Sequence, residues 1–403
     1  MPVPASLPIP SFASRCLLAV TLALAALAGV SQPARAQGSD AGAVAVKAPQ
    51  AVLMDAETGA TIFARAPDDP MYPSSMTKLM TLAVAFKALK AREIKLEDEF
   101  FMSEYAWRKG GAPSGTSAMM VPVGKKAKVE ELIKGIAVQL GNDAALSIAE
   151  NMAGNEGLFV KRMNEEARAI GLKKSTFRNA TGFFDAGQQM TAREVAMLAR
   201  YIIRTYPEYY GFFGLKEFTY LSHRFLNRNP LITLVPGVDG LQPGFSKEGG
   251  YGIVVSAKQD GRRLIAVVNG LPTADERRDD ARRLLEWGFR GFGEAKLYDA
   301  GEIVGHARVW GAERMYVPLT GGSDVNVWLP RNMANQKLRA HIIYQWPLKP
   351  PLKKGDQVAV LRVTTSSEAM NEVPLFVAED VERAGTVRRG LDTLLCLVTR
   401  WLP

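Results

Sequence analysis

Ser75-Met76-Thr77-Lys78 sets a hydroxyl three residues ahead of an amine. At the first turn of a helix, positions i and i+3 share a face, so a neutral Lys78 can take the proton of Ser75 and make it a nucleophile. The helix N-terminus also brings free backbone N–H groups to the same place. Spacing alone is weak evidence, because with 18 serines in 403 residues about one Ser-x-x-Lys arises by chance, and one is present. Other chemistries are poorly supplied. The three histidines, His223, His306 and His341, have no His or Cys near them at ligand spacing. That argues against a zinc site and leaves a Ser-His-Asp triad short of a base. No cofactor is expected.

The elements that must position this pair are an α/β body. Ala51–Asp55 and Thr61–Arg65 alternate around a Gly-ended turn and predict two strands. Met76, Leu79, Met80, Ala83, Phe86 and Leu89 keep helical spacing, and further helical patterns occupy roughly 129–152, 157–170 and 191–205. Tyr251–Lys258 and Arg263–Asn269 are apolar runs joined through Asp260-Gly261, a hairpin signal. Asp275–Phe289 predicts a helix covering that sheet, with Arg pairs that alternate with acids and so read as a solvated face. After about 293 the pattern changes to short strands at 314–318, 325–329, 338–344, 357–363 and 373–377, a small all-β module.

The ends speak of export. Arg15, the apolar run Cys16–Val30 and Ala34-Arg35-Ala36 form a secretory signal over 1–36, the alternative being a transmembrane anchor that a run of 15 residues is short for. Residues 37–46 read as a linker, and removal of the signal leaves Cys396 as the only cysteine. At the other end, within 384–403, residues 387, 391, 394, 395, 398 and 402 put apolar side chains on one helical face, with Arg388, Arg389, Asp392 and Arg400 largely off it. That predicts an amphipathic helix on a bilayer surface, or a terminal helix packed on the protein's own body. The net charge of +9 favours anionic partners or serves solubility alone; an exported chain without a basic groove motif is not expected to bind nucleic acid.

Tyr72-Pro73-Ser74-Ser75-Met76-Thr77-Lys78-Leu79-Met80-Thr81 resembles the active-site segment of the low-molecular-mass penicillin-binding proteins, the serine D-alanyl-D-alanine carboxypeptidases. Val52–Gly59, Gly135–Ala144, Leu226–Asn229 and Val238–Gly244 resemble further segments of that family in order, so residues 45–290 are covered almost without gaps. The resemblance implies a penicillin-binding, serine β-lactamase-like α/β (α+β) domain at 47–293, an antiparallel sheet flanked by helices. It also implies a β-rich domain at 294–383 and the amphipathic helix after it. It further implies a periplasmic enzyme attached to the inner-membrane surface. Its substrate would be the peptidoglycan stem peptide, and β-lactams would be covalent ligands.

By the same resemblance Ser75 attacks the penultimate D-alanine carbonyl with Lys78 as base. Asn142 holds the substrate amide and the lysine, and Arg228 helps hold the terminal carboxylate. The backbone N–H groups of Ser75 and Phe245, beyond Gly244, hold the oxyanion. The sequence departs from the family where Leu140-Gly141-Asn142 replaces Ser-x-Asn and Gln242-Pro243-Gly244 replaces Lys-Thr-Gly. Losing the lysine and threonine contacts at 242 and 243 is expected to cost on the order of 10²–10⁴ in rate, and a weakened or inactive family member that binds peptidoglycan or a partner is the alternative reading. A Gln at 242 is also expected to leave Lys78 holding its proton more readily. Ser246 and Lys247 are candidates to compensate, although Lys247 also reads as a solvated loop residue.

Overall fold

The computed structural model describes residues 44–330, 338–364 and 370–386. The expected signal at 1–36, both cysteines and all but residues 384–386 of the expected amphipathic helix at 384–403 lie outside these residues.

An antiparallel sheet runs through the body in the order Thr61–Arg65, Gln50–Asp55, Arg262–Leu271, Gly250–Gln259, Val238–Gly240, and Pro243–Ser246 also pairs with Gly250–Gln259. The hairpin between its two long strands turns at Asp260 and Gly261, with φ of 48° and 82°, the two positive values that a tight two-residue hairpin turn requires. Period-two alternation divides the strand side chains between two cores. Val52, Met54, Val254, Ile265 and Val267 face the helical mass, whereas Leu53, Ile253, Val255, Leu264 and Ala266 face Ala281, Leu284 and Leu285 of helix Ala274–Gly291.

The helix that follows Ser75, Lys78–Lys90, is buried on nearly all sides, as its continuous apolar composition demands. Glu156–Ile170 and Ala192–Thr205 follow the predicted pattern closely, each opened by a side-chain cap from Asn155 or Thr191. The single helix expected over 129–152 is two: Val129–Gln139 and Asn142–Ala153. Leu140 takes a left-handed conformation, φ 61°, and Gly141 an extended one, which stops one helix and starts another.

The β module begins with strand Phe292–Tyr298 paired to Val325–Pro330. A five-stranded antiparallel sheet follows in the order Ile303–Arg308, Tyr316–Gly321, Met370–Val377, Gln357–Thr364, Arg339–Tyr344. Two of these strands, Phe292–Tyr298 and Ile303–Arg308, were not among those expected. Their solvent-side Glu294, Lys296, His306 and Arg308 dilute the apolar signal. Val317, Leu319, Val327, Leu361 and Leu375 form the module core, and Arg262 of the body lies over the Trp328 ring at 3.3 Å to join the two.

Candidate active site

Ser75 sits in a 3-10 turn, Ser74–Thr77, that leads directly into helix Lys78–Lys90. Lys78 is fully buried, and its Nζ lies 3.2 Å from Ser75 Oγ and 2.5 Å from the Thr181 carbonyl. Burial pushes the Lys78 ammonium down to about 7, while the carboxylate of Asp143 pulls the other way. This corrects the expectation that Lys78 would keep its proton for want of a positive neighbour at 242, because taking the ammonium out of water is enough. A neutral amine that donates to Thr181 O keeps its lone pair for the Ser75 hydroxyl, which is the arrangement a general base needs.

The loop that supplies Thr181 O is itself tied down. Asn179 Oδ1 accepts from Thr181 Oγ1 at 3.1 Å and from the Gly182 N–H at 2.7 Å, and Thr81 Oγ1 donates to Ala180 O at 2.7 Å. Gly182 has φ 81°, and a Cβ there would lie 1.9 Å from Ser74 O, so only glycine fits against the nucleophile turn. On another side, a Cβ at Gly244 would come within 3.0 Å of Pro73 O and 3.4 Å of Ser75 N. Strand Pro243–Ser246 therefore passes the nucleophile at backbone contact, with Phe245 next in line, half exposed and packed on Tyr251 at 4.2 Å.

The facing wall is built from the break between the two helices. Leu140 is buried at the end of Val129–Gln139, and Asn142 opens the next helix with its Nδ2 donating to Thr116 Oγ1 at 3.0 Å. Asp143, wholly buried, accepts from the N–H groups of Met119 at 2.8 Å, Ala144 at 2.9 Å and Val121 at 3.3 Å, which fixes segment 119–121 against this helix start. Gln242 is buried and donates through Nε2 to Ile136 O at 2.7 Å, leaving Oε1 without a partner among the described residues. Exposed Arg228 donates from Nε to Gln139 Oε1 at 3.0 Å, and its own N–H reaches Val138 O. Gln242 and Arg228 thus both brace the last turn of helix Val129–Gln139.

Pro243 is buried and brings no N–H to the strand. Ser246 Oγ accepts from the Gly249 N–H at 2.9 Å, and Lys247 is exposed, so this hydroxyl caps its own turn and the lysine stays in solvent. Ser75 and Lys78 are therefore in direct contact, with Gly244 beside the Ser75 turn, while Leu140, Gln242 and Arg228 gather around one helix end. Two groups were not anticipated, the Thr181 carbonyl and Asp143. Asn179-Ala180-Thr181-Gly182 carried the signal of an Asx turn followed by glycine, and Asp143 that of an acid at a helix start.

Residues 36–273 match the D-alanyl-D-alanine carboxypeptidase family, peptidase S11, and residues 292–383 match the C-terminal domain of penicillin-binding protein 5. The chain is 34% identical over 352 residues to D-alanyl-D-alanine carboxypeptidase DacC of Escherichia coli, covering 87% of this chain and 88% of that one. It is 30% identical over 363 residues to DacF of Bacillus subtilis, covering 88% and 91%. The crystal structure of penicillin-binding protein 5 from Haemophilus influenzae superimposes with a TM-score of 0.67 at 32% identity, over 84% of this chain and 98% of that one.

Proposed function

The chain belongs to the D-alanyl-D-alanine carboxypeptidase family, and from that premise we propose that it removes the terminal D-alanine of peptidoglycan pentapeptide through an acyl-Ser75 intermediate and is acylated by β-lactams. The observation that carries this reading is the buried Lys78 amine, 3.2 Å from Ser75 Oγ and anchored on Thr181 O. Lys78 takes the hydroxyl proton as Ser75 Oγ bonds to the penultimate carbonyl carbon. The oxyanion is held by the N–H groups of Ser75 and Phe245. When the tetrahedral species collapses, the C–N bond breaks and D-alanine leaves with the proton returned from Lys78 itself, since Leu140 has no hydroxyl to relay it. Water then adds to the acyl carbon with Lys78 again as base, and Ser75 is released.

Asn142 is the group for the substrate amide, and Arg228 the one remaining cation for the terminal carboxylate. Gln242 and Pro243 offer that carboxylate neither charge nor hydroxyl, which favours a second reading in which peptide turnover is weak and binding of peptidoglycan is the main role. Residues 1–36 act as the export signal, 47–293 as the catalytic domain and 294–383 as the β-rich domain. Residues 384–403 hold the protein to the periplasmic face of the inner membrane.

Intact-mass measurement after incubation with benzylpenicillin tests the chemistry, with Ser75→Ala as control. A wild-type adduct absent from the control is expected; no adduct at saturating drug would defeat the catalytic reading. Release of D-alanine from a pentapeptide then separates a turning-over enzyme from one that is only acylated.

A further inference from the structure

We propose that one end of the β module, formed by Arg308, Met315, Tyr316 and Trp346, is a second lipid-contact surface that seats on the headgroups of an anionic bilayer beside the amphipathic tail. It rests on the proposal that this tail lies on the membrane. Scattered exposed apolar residues need no explanation, but a cluster does. Here Met315 is 38% exposed, Tyr316 53% and Trp346 49%. They are held together: Arg308 lies over the Trp346 ring at 5.9 Å and opposite Tyr316 in the strand register, and the Val309 N–H reaches Met315 O at 2.9 Å.

The composition of the patch selects its occupant. Trp and Tyr rings beside arginine suit the boundary between water and lipid, where an apolar body and a polar edge are both satisfied. Arg308 and Lys349, the latter one residue beyond the Leu348 that pairs with Val309, are in no ion pair among the described residues, so against the exposed Glu313 of the same turn they leave a net positive charge to meet an anionic surface. Where the chain leaves the module fits the same occupant. Ala384 N–H donates to Gly311 O at 3.0 Å and Arg383 bridges to Ala312, so the segment running to the tail departs from the same 309–316 turn. A tail lying in the headgroup layer brings this turn to that layer, and two contacts hold the module in one orientation where a tail alone would be a tether.

Vesicle co-sedimentation of the full chain tests this with phosphatidylglycerol-rich and with pure phosphatidylcholine vesicles. The double variant Tyr316→Ser with Trp346→Ser is expected to bind the anionic vesicles about tenfold more weakly, and Arg308→Gln about fivefold more weakly with little change on phosphatidylcholine. Both variants should still be acylated by benzylpenicillin at the wild-type rate, which shows that they are folded. Deleting 387–403 should leave a weak, salt-sensitive affinity that the double variant removes; unchanged binding after deletion defeats the tail reading, whereas residual binding lost in the double variant supports the patch. Wild-type binding by all surface variants would overturn the proposal. So would a change confined to self-association in sedimentation, which would make the patch a contact between copies.

Discussion

The two walls of the site differ in kind. On the wall that carries Ser75 the polar groups are tied together: Lys78 has Thr181 O and Ser75 Oγ, and Thr181 is fixed through Asn179. The facing wall is in part unsatisfied, with buried Leu140, buried Pro243 and a Gln242 whose Oε1 has no partner among the described residues, beside the buried Asp143 and the exposed Arg228. On the proposed mechanism, making the acyl-enzyme and recognising the leaving end of the peptide are entrusted to separate elements. On that mechanism a chain can keep the first while the second drifts: burial is the main cause that lowers the Lys78 ammonium, and from the far wall the Asp143 carboxylate opposes it.

The strongest attack on this comparison is Lys78→Met, which should lower the acylation rate by about 10²–10⁴-fold. In the wild type, acylation should rise with pH through about 7 and level off above it, as the amine loses its proton. Stability gives an independent check. Between about 7 and 10.5 the unfolded chain keeps the Lys78 proton and the folded protein does not, so stability should rise with pH across that window, a slope Lys78→Met should lack. Loss of acylation without loss of the slope would mean that the lysine is not the buried group described above.

Rebuilding the far wall should act in the opposite direction. Gln242→Lys with Pro243→Thr restores two contacts to a carboxylate, and at about 1.5–3 kcal/mol for each charged hydrogen bond should raise D-alanine release by at most about 10²–10⁴-fold. Acylation by β-lactams should change less, and an equal rise in both would dissolve the distinction between the walls. Asp143→Asn sharpens it further: removing the negative charge that opposes deprotonation of Lys78 should move the acylation midpoint to lower pH. A fall in rate with an unmoved midpoint would reduce Asp143 to a fixture of segment 119–121.

The smallest effect belongs to Leu140→Asn. Relief of about 1–2 kcal/mol of left-handed strain opposes the loss of about 1.5–3 kcal/mol of burial, so unfolding free energy should change by about 1 kcal/mol or less in denaturant titration. A loss of several kcal/mol would show instead that this side chain is an integral part of the core.

Much of this was legible in the residues because spacing carries it. Ser75 and Lys78, three apart on a turn, met as expected, and the apolar runs Tyr251–Lys258 and Arg263–Asn269, joined through Asp260-Gly261, placed the central hairpin. The break at Leu140 was hidden because leucine favours helix and gives no warning of a left-handed residue; only Gly141 hinted at it. Thr181 acts through its carbonyl, a group that every residue carries, so its side chain announces nothing. The depressed basicity of Lys78 is a property of what surrounds it in space, which no local pattern records. The losses at 140, 242 and 243 were visible, yet the way Gln242 turns to brace Ile136 O was not.

Gly182 has a consequence for how this site tolerates change. Any side chain at 182 collides with the carbonyl of Ser74, and relief would require moving the backbone that carries the nucleophile. In a saturation screen the chemically silent glycine should therefore rank with Ser75 among the positions that accept no replacement, while Gln242, at a position where the family carries a lysine, should accept many. Clearance behind Ser75 would then restrict replacement at this site more tightly than the functional groups in front of it.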